Sequence, residues 1–151
     1  MPEPRAMWML WPTQLRRYNQ RFGESQKIYY NCCRMTGGHN GVDLGVDANA
    51  PETSPIKAAL PGTVSHVALD QGGYGYHLRV RSYSPDGREI TVLYAHLADV
   101  EVDTGMVVSR GNLMGWAGST GFSSGPHLHL SMRVEGIHMR SVFDWVNPRP
   151  Y

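Results

Sequence analysis

The sequence lacks an excess of charge of either sign: 14 Lys and Arg face 13 Asp and Glu, a formal net charge of +1 over 151 residues. Without a one-sign field, long-range attraction to nucleic acid or to an anionic membrane surface is excluded as an organising feature. Long apolar runs are missing as well. The densest stretch, Met7-Trp8-Met9-Leu10-Trp11, stops at Pro12, far short of the roughly 20 residues of a membrane helix or of a signal peptide's apolar core. The expectation is therefore a chain without anchor or export signal, either one lacking its signal or one delivered by other means. Cysteine is scarce too, and the only pair, Cys32 and Cys33, is adjacent. Neighbouring cysteines rarely bridge, because closing so small a ring strains the backbone. The pair is expected to be two partly buried thiols.

What the sequence does have is glycine and proline, 17 and 10 residues, spread in small groups that suit many short strands joined by tight turns. A chain of this length buries one proper core. We expect an N-terminal arm over residues 1–30 with little regular structure, packed on a single domain over 31–151. Within that domain, strands are predicted over 42–46, 56–59, 63–69, 77–83, 90–97, 106–108, 113–116 and 127–132, separated by turn signals such as Ser84-Pro85-Asp86-Gly87. The fold class is all-β and mainly antiparallel, a twisted open sheet or sandwich.

Three sparse segments carry chemistry. His127-x-His129 falls in an alternating strand, so both imidazoles project to one side about 6.5–7 Å apart. Taken alone, two histidines on a solvated strand face describe the pattern as well as a metal pair does. His39-Asn40-Gly41-Val42-Asp43 adds an imidazole and a carboxylate, both zinc ligands when deprotonated. Fully extended, these two would lie about 13 Å apart, so the backbone must bend to bring them to one ion, which Gly41 permits. A loop histidine and a turn-capping aspartate would read the same way. Tyr94-Ala95-His96-Leu97 places a further histidine at a strand end. Four histidines and an aspartate from distant parts of one chain are how catalytic metal centres are assembled. His66, His77 and His138 fall in no motif.

These residues resemble the lysostaphin-like, or LytM-type, zinc endopeptidases of peptidoglycan. The signature is HxxxD (His39 to Asp43) followed much later by HxH (His127 to His129). Pro61-Gly62-Thr63-Val64, Gly73-Tyr74-Gly75, Tyr94-Ala95-His96-Leu97 and Gly118-Ser119-Thr120-Gly121 through Gly125-Pro126 fall in family order between and around them. The resemblance implies one zinc per chain, held by His39, Asp43 and His129, with His96 and His127 as the catalytic, non-ligating pair. It also implies a groove for extended peptide, walled by loops at 121–125 and 49–55, with Tyr74 and Tyr94 as substrate contacts. Tyr29 and Tyr30 are candidates for a supporting tyrosine ahead of the first histidine. The implied activity is hydrolysis of stem peptides or cross-bridges at the bacterial cell wall, by a secreted form lacking its signal or a phage-derived lysin, as a monomer or a part of a phage virion. The alternative is a non-catalytic relative that binds peptidoglycan or activates a partner amidase.

Overall fold

Short apolar-polar alternations punctuated by Gly and Pro build antiparallel strands with one face on a core. In the computed structural model, which describes residues 9–138 and 145–148, nine such strands join one sheet. They are β1 (Tyr18–Gln20), β2 (Val42–Leu44), β3 (Pro55–Lys57), β4 (Gly62–Asp70), β5 (Gly75–Tyr83), β6 (Glu89–Val100), β7 (Val107–Val108), β8 (Leu113–Ala117) and β9 (Leu128–Val134), with one helix, α1 (Gln26–Cys33). The main path runs β1-β2-β9-β6-β5-β4-β7, and β8 pairs with both β6 and β3. The strand pairs are antiparallel. The all-β expectation holds, and the predicted strands are present with shifted ends.

The two faces of the sheet have different work. On one, Val42 and Leu44 of β2, Leu78 and Val80 of β5, Ile90, Val92 and Tyr94 of β6, and Leu128, Leu130 and Met132 of β9 form the main core. Each fully buried aliphatic side chain there contributes about 1.5–3 kcal/mol relative to exposure. The alternate residues of the central strands point the other way, where Leu93, Ala95 and Trp145 make a small second cluster against Phe22 and Tyr74. His129 belongs to that second face.

Three expectations change. The arm is more ordered than predicted: Tyr18–Gln20 adds an edge strand to β2, and α1 runs across the anticipated boundary at residues 30 and 31. The helix buries none of its residues, so it leaves no apolar period to read. Cys32 and Cys33, at its C-terminal end, are bonded to each other and exposed. The cost of closing so small a ring had argued against this pairing, and the exposed end of α1 carries it nonetheless. Met7 and Trp8 lie outside the described residues, whereas Trp11 packs on the core.

Tyr94 is the third correction. It is 0% exposed on the core face, and its hydroxyl accepts a hydrogen bond from the Ala59 backbone N–H at 2.8 Å, so it cannot touch substrate. Burial drives its phenol pKa upward. Tyr94→Phe should strand the Ala59 N–H in the core at a cost of about 1–3 kcal/mol, read from urea unfolding, with peptide binding unaffected in the folded variant. Weaker peptide binding at unchanged stability would return the residue to the substrate path.

Candidate metal centre

The site begins with strand register. In the β2–β9 ladder Asp43 stands directly opposite His129, flanked by the pairs Val42↔Leu130 and Leu44↔Leu128. Directly opposed residues share one face, about 4.5–5.5 Å apart at Cβ. With Val42, Leu44, Leu128 and Leu130 committed to the core, Asp43 and His129 must both face the groove. Their side chains meet at 2.9 Å, Asp43 Oδ1 to His129 Nδ1.

His39 comes to the same point from the coil before β2. Its Nε2 lies 3.1 Å from Asp43 Oδ1 and 2.9 Å from His129 Nδ1. The chain does turn between the two motif residues, but Gly41 serves differently from expectation. The left-handed glycine here is Gly38, at φ 79°. Gly41 is needed because it is small: a Cβ on it would sit 2.4 Å from the Leu130 carbonyl and 2.9 Å from His129 Cε1. The HxxxD segment can lie flat on β9 only with glycine at its centre.

Protonation follows from the partners. His39 Nδ1 is 3.2 Å from the Arg21 carbonyl oxygen, which can only accept, so Nδ1 carries a proton and Nε2 is the nitrogen turned to the trio, bare when the ring is neutral. Burial by itself would raise the Asp43 carboxyl, but hydrogen bonds from the His129 and His39 rings, whenever either carries a proton toward it, more than reverse this and keep it ionised. His129 is held neutral chiefly by its burial. A carboxylate oxygen and two imidazole nitrogens, all within about 3 Å of one another, are donors of the kind zinc takes. Ligands at 2.0–2.1 Å from a tetrahedral ion stand about 3.4 Å apart, so the trio fits after opening by a few tenths of an ångström.

His96 and His127 flank this trio. Strand β6 pairs with β9 through Ala95↔His129 and with β8 from Leu97↔Ala117 onward. His96 falls at the change of partner, in a left-handed conformation at φ 62°. Opposite it, β5 shifts register between Tyr76 and Leu78, the pattern of a bulge that re-aims a side chain. Tyr94 and Leu97 both face the core, so the extra residue changes the alternation and delivers His96 to the groove. His96 Nδ1 donates to the Thr120 carbonyl at 2.7 Å, and His127 Nδ1 donates to the Gly125 carbonyl at 2.8 Å. Both therefore turn Nε2 to the groove, the nitrogen that is bare in a neutral ring, and their rings lie 4.9 Å apart. Burial, and then the neighbouring His129, lowers His96 to a pKa of about 4, so its imidazole is neutral at pH 7.

The five side chains line a groove of about 740 Å³. One wall includes Phe122, Ser123 and Ser124, within the predicted 121–125 segment of the 119–125 loop; the other includes α1. The 49–55 loop does not line the groove, because it sits near a separate depression bounded by Asp47 and Ser54. Tyr29 of α1 stacks on His39 with ring centroids 5.2 Å apart, while Tyr30 is exposed. Tyr74 lines the groove, accepts from Asn40 Nδ2 at 2.8 Å and stacks on His129 at 5.8 Å. Sequence reading missed Asn40, although its place beside His39 was a usable signal. His66 and His77 contact each other outside the groove.

The model of peptidase family M23 matches residues 37–141, from the glycines before His39 to beyond His127 and the strand bearing His129. The chain belongs to peptidase family M23. One M23 relative, the DD-carboxypeptidase/endopeptidase Mpg of Neisseria meningitidis, is 36% identical over 101 residues, covering 67% of this chain and 22% of that protein. Lysostaphin of Staphylococcus staphylolyticus is 30% identical over 115 residues, 76% of this chain and 23% of its own length. Among solved structures, the catalytic domain of the antimicrobial peptidase lysostaphin from Staphylococcus simulans superposes with a TM-score of 0.64 at 25% identity, covering 89% of this chain and 90% of that one. The chain thus spans less than a quarter of the length of these curated M23 relatives.

The packing of the motif makes a direct demand on Gly41. Gly41→Ala should push the HxxxD segment off β9 and lower divalent-metal occupancy from about one ion per chain to a small fraction, measured by elemental analysis after dialysis. Full occupancy in the alanine variant would show that the close approach is dispensable.

Proposed function

We propose that this M23 chain is a zinc-dependent endopeptidase that hydrolyses stem peptides or cross-bridges of bacterial peptidoglycan. The observation that carries the reading is the convergence of His39 Nε2, Asp43 Oδ1 and His129 Nδ1 in an open groove that also holds His96 and His127. Three protein ligands are the pattern of a catalytic rather than a structural zinc site, since a fourth position stays open. Zinc held by these residues would supply Lewis acidity to a scissile carbonyl and to an attacking water.

The remaining chemistry falls to the chain's own groups. His96 and His127 each turn Nε2 toward the trio, so one of them, as a neutral ring, can take a proton from the attacking water. The other, in its protonated form, can hydrogen-bond the developing oxyanion or pass a proton to the leaving amine. Their Nδ1–H groups are tied to backbone carbonyls of the 119–125 loop, which fixes both rings during the transfer. Tyr74, held by Asn40, and Phe122 of the neighbouring loop are the surfaces an extended peptide would meet. The names of the relatives, a DD-carboxypeptidase/endopeptidase and lysostaphin, support a cell-wall peptide as substrate.

A binding-only relative would have no use for a complete donor set with two further imidazoles in reach, and that completeness favours hydrolysis. Purified protein incubated with peptidoglycan should release fragments with new amino termini inside stem or bridge peptides, identified by mass spectrometry. His127→Ala should keep its metal and lose about 10²–10⁴-fold in rate, the usual contribution of a positioned acid or base. Binding without new amino termini would establish the non-catalytic reading.

A further inference from the structure

Ser131 follows His129 by two residues on β9, so the two share a face, and Ser131 is 0% exposed. A hydroxyl so deeply buried is costly without hydrogen-bond partners, and it has two. Its Oγ lies 3.0 Å from the Asn40 carbonyl oxygen and 2.7 Å from His129 Nε2. The hydroxyl has a single proton, and a carbonyl can only accept, so that proton goes to Asn40. Toward His129 the Ser131 oxygen is then an acceptor, and Nε2 must be the protonated nitrogen. What remains bare is Nδ1, the atom that faces Asp43 and His39.

The opposite tautomer has a competing attraction. With its proton on Nδ1, His129 would donate to Asp43 Oδ1 at 2.9 Å, filling with hydrogen the point where the three donors meet. We infer that Ser131 is a positioning residue that selects the Nε2–H tautomer of His129 and so keeps Nδ1 open toward a metal ion. Gly41 is part of the device, because a Cβ there would come within 2.6 Å of Ser131 Oγ and displace the hydroxyl. The inference rests on the zinc reading for its consequence, but the tautomer is a property of the metal-free protein.

The test has two arms. In metal-free protein, 15N chemical shifts of the His129 ring should report Nε2–H for the wild type and a shift toward Nδ1–H in Ser131→Ala, with the amide spectrum showing that the variant is folded. In a chelator-competition titration, Ser131→Ala should bind zinc about 10–100-fold more weakly, the usual cost of losing the group that orients a metal-bound histidine. Nδ1–H in the metal-free wild type would overturn the assignment without recourse to any variant. So would a folded Ser131→Ala with unchanged tautomer and affinity. A wild type with the Nε2–H tautomer but no zinc uptake would overturn the zinc reading and leave the tautomer selection standing.

Discussion

The register of β2 on β9 is the constraint on which the site depends. Asp43 and His129 are 86 residues apart in the chain, and only their opposition across one ladder puts carboxylate and imidazole on the same face. Because side chains alternate strictly along a strand, a slip of one residue would bury both in the core and expose Val42, Leu44, Leu128 and Leu130. Those four apolar residues oppose such a slip. At about 1.5–3 kcal/mol for each buried aliphatic side chain, the core-facing side of the ladder costs more to misplace than a single hydrogen bond on the groove side could offset. Hydrophobic burial sets the register, and the polar constellation inherits it.

That division explains which parts were legible in the sequence. Strands β5 and β9 have one committed face, and their alternation showed it, including the placement of His129 apart from the leucines. Tyr94 was misjudged although the signal was present: Ile90, Val92 and Tyr94 keep one parity, which assigns the tyrosine to the core. Helix α1 had no such signal. None of its residues is buried, and it is bounded by Ser25 and Arg34 in left-handed conformations, without a side-chain cap at its start. Its contribution to the groove, Tyr29 on His39, is a tertiary contact that no local pattern encodes.

The position of His96 was legible, but its setting was not. A strand-end histidine was expected, whereas β6 continues to Val100 and His96 stands within it. Neither β9 nor β8 can follow β6 over its whole length, and the change between them falls on this residue. A non-glycine residue at positive φ costs of order 1–3 kcal/mol and persists only where its surroundings over-determine it. Here the His96 N–H donates to the Tyr74 carbonyl at 2.8 Å while the ring donates to Thr120, so both ends of the residue are held. The sheet's change of pairing and the groove's imidazole are one feature.

A last regularity links the four groove histidines. In each, one ring nitrogen is committed to a group of the protein scaffold: the Arg21 carbonyl for His39, the Thr120 carbonyl for His96, the Gly125 carbonyl for His127 and Ser131 for His129. Three of these acceptors are main-chain atoms, whose positions depend on loop and strand geometry and on no particular side chain. The fourth is a side chain because His129, unlike His96 at the break in the pairing of β6, has a ladder partner on each side, so that neighbouring carbonyls are already spent on the ladder. A hydroxyl two residues along the same face is the nearest group that can take their place. That substitution also reverses the nitrogen presented: His39, His96 and His127 turn Nε2 to the centre, and His129 turns Nδ1. An imidazole rooted in a strand beside its metal partner has its nearer nitrogen in reach, and a hydrogen bond to the farther one leaves it available.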